Sequence, residues 1–257
     1  MESEESPRSF LLNLKPVSAQ DPIRWLKLGW GDFAACPAIG LFYGACFAIM
    51  GAALIWAFMS QPAYLLALAG GFLLLGPFLC LGLYDVSRRL ERGETPSLIA
   101  SLSAWRGNLG ATAIFCAVLL VLEMLWSRSA LVIFAVAFNK VPGIDSTMAM
   151  LIHPSNFGFM LTYLIVGALF STLIFASTVV AMPMLLDRTT DSITAAITSF
   201  RACLTYPRVM ALWALIIAIT ITLSMLPLLA GILIAAPVIG HASWHAYRGI
   251  VERPGDP

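Results

Sequence analysis

The strongest constraint on this chain is a series of apolar runs, each close to 20 residues long and separated by short polar breaks. A helix rises 1.5 Å per residue, so about 20 apolar residues cross a hydrocarbon layer about 30 Å thick. A helix also satisfies its own backbone groups where no water is available. Ala38 to Met59 is the first run and stops at Ser60-Gln61-Pro62; Ala63 to Tyr84 is the second. Leu109 to Trp126 is the third, before Arg128, and Gly158 to Met182 is the fourth, ending at Pro183. Val209 to Tyr247 is too long for one helix, and a tight hairpin near Pro227 to Gly231 divides it into the fifth and sixth. Composition agrees. The 257 residues are 60% hydrophobic and 11% charged, against about 25% charge in a soluble domain. The expected fold is an all-α, polytopic membrane helical bundle with six transmembrane helices.

The basic residues set the expected orientation. Thirteen of the fifteen Lys and Arg fall in the N-terminal segment, the loops after spans two and four, and the C-terminus; only Arg128 and Lys140 fall on the other side. Positive charge concentrates on the cytoplasmic face, so both ends are expected in the cytoplasm. The acidic start Met1-Glu2-Ser3-Glu4-Glu5 lacks the basic, apolar pattern of a cleaved signal, and the first run is expected to serve as a retained anchor. The net charge of +1 points to no nucleic-acid partner. The five cysteines have neither C-x-x-C nor zinc-ligand spacing, so no structural disulfide is expected.

Three short stretches repeat before the three hairpins: Asp21 to Phe33, Ser97 to Arg106 and Asp191 to Cys203. Each carries a branched aliphatic residue seven positions before Trp30, Trp105 or Phe200, two helical turns apart on one face. Such segments read as amphipathic interfacial helices. The hairpin ends also correspond. Pro77 is followed by Tyr84 at plus seven and Arg88 at plus eleven, and Pro237 by Trp244 and Arg248 at the same offsets, with Pro183 as the middle copy. The expected organisation is a threefold internal repeat in one membrane domain, 21–250, with units at about 21–96, 97–190 and 191–250. A disordered cytoplasmic tail (1–20) precedes it and a short tail (251–257) follows.

Few positions carry chemistry. Glu123 is the only acid well inside a predicted span, about 21 Å along it from Leu109. An intramembrane carboxylate is a functional candidate by default, and Arg128 five residues on is its nearest basic neighbour in sequence. His241 and His245 share a helix face, and imidazoles at that spacing can bind zinc-like ions. Relative to the prolines, Asp187 matches His241 and Asp85 matches His245, so these four are the candidate metal ligands at the inner mouth. The alternative is an aromatic and polar belt where helices leave the lipid. Gly40-Leu41-Phe42-Tyr43-Gly44 is a close-packing G-x-x-x-G, inside the molecule or between copies. P-loop, nucleophile-elbow, haem-attachment and dinucleotide motifs do not occur.

Several of these motifs together resemble an uncharacterised family of bacterial integral membrane proteins, classed as a domain of unknown function. They are Gly40 to Gly44, Gly76-Pro77, Gly82 to Arg88, Pro183 to Arg188 and Gly240 to Arg248, within Asp21 to Val251. The resemblance implies a multi-pass protein of the bacterial cytoplasmic (inner) membrane with no established activity. Some members carry a cytochrome oxidase subunit label. An oxidase core needs several haem and copper histidines, and only His153, His241 and His245 exist here. The leading expectation is therefore a non-enzymatic accessory, assembly or scaffold protein. Its partners would be the bilayer and a respiratory or other membrane complex, or a second copy. A small transporter or channel is the rival, favoured by a polar, water-filled interior. A haem- or metal-binding protein associated with a respiratory complex is the third reading.

Overall fold

The computed structural model describes residues 12–60, 76, 79–137, 153–227 and 229–253. Among them the secondary structure is helical apart from one antiparallel bridge between Leu14 and Val251. Helix α1 is Asp21–Ala35 and α2 is Pro37–Ser60. A helical run over 79–91 is α3. Leu98–Leu102 is α4, followed by a 3-10 turn, Ala104–Asn108, and α5, Leu109–Ala137. Helix α6 is Phe157–Thr178, α7 Ala181–Asp187, α8 Ser192–Thr205, α9 Pro207–Met225 and α10 Ile232–Ile250. Four of these segments are long and apolar enough to cross a membrane: Pro37–Ala57, Ala104–Ala137, Pro154–Asp187 and Pro207–Met225. Most of the predicted second span lies outside the described residues, and α3 carries its end.

Two expected boundaries move. The third helix does not stop at Trp126. It runs past Arg128 to Ala137, 29 residues in all, because a single exposed arginine removes no backbone hydrogen bond. The fourth breaks at Val179-Val180, before Pro183, which lies in the first turn of α7. There its missing N–H would have had no helical partner anyway. The Val180 N–H, left over at the break, donates to Ser199 Oγ of α8 at 3.1 Å. The last apolar stretch divides where expected, between Met225 and Ile232.

The three segments singled out in the sequence, Asp21 to Phe33, Ser97 to Arg106 and Asp191 to Cys203, are helical, each by a local cause. Asp191 caps α8, its carboxylate accepting from the N–H groups of Ile193 and Thr194 at 2.9 and 2.8 Å. Helices α1 and α8 end alike. One residue with similar backbone angles, Cys36 or Tyr206, is followed by Pro37 or Pro207 opening the next helix. The middle segment is interrupted at Ser103, whose hydroxyl bonds back to the Ile99 and Ala100 carbonyls. Local bonds of this kind compete with helix propagation.

Helix α10 is the hub. Helix α1 crosses it with Gly29 against the backbone of Val238 and Ala242, where a methyl group would collide. Helix α2 runs antiparallel to it: Gly44 packs on the Leu233 carbonyl, and Gly51 on the Leu229 side chain. Pro237 withholds the N–H that would otherwise bond that carbonyl. Both glycines of the G-x-x-x-G thus serve packing inside the molecule, Gly40 against the Phe33 ring and Gly44 against α10. Helix α3 lies parallel to α10, with Leu83 against Gly240. Trp213 of α9 is fully buried and meets Trp25 of α1 edge to face at 5.7 Å. Helices α5 and α6 form their own antiparallel pair, zipped by Trp126 against Tyr163 and Phe170 and by Phe134 against Phe159.

The core sits toward one end of the bundle. It gathers Trp25, Tyr84, Phe115, most of Val180 to Leu185, Met210, Trp213 and much of α10 from Ile239 onward, with Val251 just beyond it. This is the arginine-rich end. Away from it the spans expose large apolar side chains, among them Ile49 and Trp56 of α2, Leu131 and Val132 of α5, Leu164 and Ile165 of α6, and Ile219 and Leu223 of α9.

Candidate functional site

The arginine-rich end is built from the C-terminal turns of α3, α7 and α10. Asp85 is almost fully buried on α3 and accepts from Arg88 at 2.5 Å and Arg89 at 2.8 Å, three and four residues along the same helix. Arg88 then reaches out of its own segment, donating to the Leu186 carbonyl of α7 at 3.0 Å. Arg188, one residue past α7, donates to the Tyr247 hydroxyl of α10 at 3.0 Å and to the Glu252 carbonyl at 2.5 Å. Tyr247 donates onward to Asp187 at 2.8 Å. Arg248 of α10 closes the circuit on Glu91 of α3, with Nε and Nη2 both 3.0 Å from Oε1. Trp244 Nε1 donates to the other oxygen of Glu91 at 3.0 Å. Each of the three helix ends therefore sends an arginine to the next, and the third returns to the first.

The electrostatics follow from this geometry. Burial alone would raise the Glu91 carboxyl, but Arg248, Trp244 and Arg253 outweigh it and hold the group below its ordinary range. Thr194 and its backbone N–H similarly hold Asp191 low at the start of α8. Charge-assisted bonds of this kind are stronger than neutral ones, and a partly dry setting strengthens them further.

The four candidate metal ligands occupy this end with separate partners. Asp85 holds Arg88 and Arg89, and Asp187 holds Tyr247. His241 is completely buried, sharing a 2.8 Å bond between Nδ1 and Ser87 Oγ. His245 Nε2 lies 2.8 Å from the Asp32 carboxylate of α1. None of these bonds joins two of the four. Among the described residues, no group of three or more His, Cys, Asp and Glu side chains is placed to hold a metal. The residues that sequence reasoning missed are Asp32, Ser87 and Glu91. Glu91 had a visible signal, as a lone acid within Arg88, Arg89 and Arg92. Asp32 had none, since its partner lies 213 positions away.

Glu123 and Arg128 are not paired. Arg128 is exposed, and the polar group beside Glu123 is the Ser127 hydroxyl on its own helix. Glu123 instead lines a cavity of about 660 Å³ at the centre of the bundle. Its wall combines Leu54 of α2, Tyr84 of α3, Leu119 of α5, Phe175 of α6, Ile217 of α9 and Ile239 of α10. The wall is apolar, and the buried residues of the basic end lie beneath it.

Residues 64–187 match a family described as "Predicted integral membrane protein (DUF2189)". That is an uncharacterised membrane-protein family, and the stretch includes the Gly76-Pro77, Gly82 to Arg88 and Pro183 to Asp187 motifs. No curated protein and no solved structure matches the chain. With its apolar helices, the match makes this an integral membrane protein of unknown function.

Proposed function

We propose that the chain is a six-span protein of the bacterial inner membrane, with both ends cytoplasmic, acting as a non-enzymatic accessory or scaffold component. One observation carries the reading: the arginine-rich end is packed and bonded shut. His241, Val180, Trp244, Tyr247 and Ile250 are fully buried there, and the arginine circuit ties three helix ends together. A channel or transporter needs a wettable route through this end. A rigid, sealed base fits a protein that holds its shape against partners.

The spans are supported by where the ends meet. Lys15 N–H donates to the Ile250 carbonyl at 2.8 Å, and Glu252 N–H to the Asn13 carbonyl at 3.2 Å. Segments bonded to each other lie on one side of a membrane, so the number of crossings between them is even. Helices α9 and α10 form one hairpin, α5 and α6 with α7 a second, and α2 pairs with α3 as the third. The arginine circuit joins equivalent ends of these three hairpins, which supports the threefold repeat. The arginines themselves support a cytoplasmic placement.

Two experiments test the reading. Cysteines placed at Ser6, Ser97 and Asp256, one per variant, should react with an impermeant maleimide only from the cytoplasmic side. Reaction from outside at any of them would remove the six-span arrangement. Protein reconstituted in liposomes should pass potassium, protons and small anions no faster than empty liposomes. A flux that Glu123→Gln abolishes would instead establish the transporter reading.

A further inference from the structure

The central cavity has an unusual wall. About 660 Å³ lies within the range that encloses small molecules, and almost every group facing it is apolar. Of its three hydroxyl residues, Tyr84, Thr178 and Ser243, two are committed to the backbone: Thr178 donates to the Ile174 carbonyl at 2.7 Å, and Ser243 to the Ile239 carbonyl at 2.8 Å. Glu123 is different. The polar group beside it, Ser127, is a neutral hydroxyl one turn away on the same helix. Among the described residues, no lysine, arginine or histidine forms an ion pair with it. A carboxyl at membrane depth is expensive unless something compensates it. The protein elsewhere spends its arginines freely on Asp85 and Glu91, yet supplies none here.

We infer that the cavity is a binding site for a membrane-soluble amine, a molecule with an apolar body and one ammonium head that pairs with Glu123. The apolar wall accommodates the body. The head provides the cation that the surrounding described residues do not, through a charge-assisted hydrogen bond strengthened by the low dielectric. Helices from all three hairpins contribute to the wall, and interfaces between repeats are where membrane proteins place such sites. Being membrane-soluble, the ligand enters from the bilayer. This inference does not rest on the scaffold reading: a sealed base and an occupied cavity are compatible, and each has its own test.

The test is photoaffinity labelling of the full chain in phosphatidylcholine nanodiscs. The probe is hexadecylamine carrying a diazirine in mid-chain, with adducts mapped by mass spectrometry. Adducts are expected at cavity residues such as Leu54, Leu119 and Ile217. Unlabelled hexadecylamine should compete at least tenfold better than hexadecanol, and Glu123→Gln should lower cavity labelling at least tenfold. Equal competition by the alcohol would overturn the ammonium–carboxylate pairing. Labelling confined to bilayer-facing positions such as Ile49 and Val132 would overturn the site itself. If Glu123→Gln fails to fold, the amine-against-alcohol comparison on the native chain still decides the question.

Discussion

The last two helices have the same length and opposite surroundings. Helix α9 buries four of its 19 residues, Val209, Met210, Trp213 and Ser224. Helix α10, also 19 residues, buries eleven. Both come from one uninterrupted apolar stretch, so hydropathy alone does not separate them. The separating feature is side-chain size and polarity. Helix α9 presents Leu215, Ile219 and Leu223 outward. Helix α10 carries Gly240, Ala242 and Gly249, which let α1 and α3 approach closely, and His241 and Trp244, which bond to α3. Lipid is as apolar as leucine, so burial inside a bilayer follows close packing and hydrogen bonds rather than hydrophobicity. The same contrast divides the whole molecule, with a bonded, small-residue core at the arginine-rich end and bulky aliphatic surfaces away from it.

The largest effect should come from Asp85→Ala. It leaves Arg88 partly buried without its carboxylate partner and Arg89 with only the exposed Glu94, and breaking such a pair from one side costs about 3–5 kcal/mol. Unfolding in mixed micelles measures this. Trp56→Ala, on the exposed face of α2, should change stability by less than about 0.5 kcal/mol. Comparable losses for the two would erase the distinction between the regions.

A smaller effect is expected from paired glycine substitutions. Gly44→Ala forces a methyl group into the Leu233 carbonyl and should cost about 1–3 kcal/mol. Gly110→Ala meets open space and should stay within about 0.5 kcal/mol of the native chain. A neutral Gly44→Ala would show that α2 and α10 are not in close contact.

The smallest is a pH dependence. The Glu91 carboxyl is lower in the folded chain than when unfolded, because Arg248, Trp244 and Arg253 outweigh its burial. Its contribution is therefore complete above the unfolded pKa of about 4.3 and is lost as pH falls through the lower folded value. Melting curves should show that acid loss in the native chain and a weaker one in Arg248→Gln. An unchanged acid profile would mean that the last link of the arginine circuit carries no energy.

Much of this fold was legible in the sequence because apolar runs, prolines and capping residues act locally. The Met225 to Ile232 break, the helical segments around Trp30, Trp105 and Phe200, and the first long helix, expected from Ala38 and found from Pro37, all follow from neighbours in the chain. The third helix, expected to stop at Trp126 before Arg128, runs on to Ala137 because one charge at a helix surface leaves the backbone bonds intact. The site was legible only as a list of residue types. Asp85, Asp187, His241 and His245 do lie at the arginine-rich end, but their partners are Arg88, Tyr247, Ser87 and Asp32, and partner choice is set by how distant helices pack. Glu123 was found by its depth alone, and only the structure places it on a cavity wall.

The contrast between the two regions is tested most directly by footprinting the native chain in bilayers with a small lipid-soluble carbene precursor. Adducts are expected along the outward faces of α2 and α9, at Ile49, Trp56, Leu215, Ile219 and Leu223, with 238–250 of α10 almost unmodified. Modification of 238–250 as heavy as that of α9 would contradict a sealed, protein-packed end.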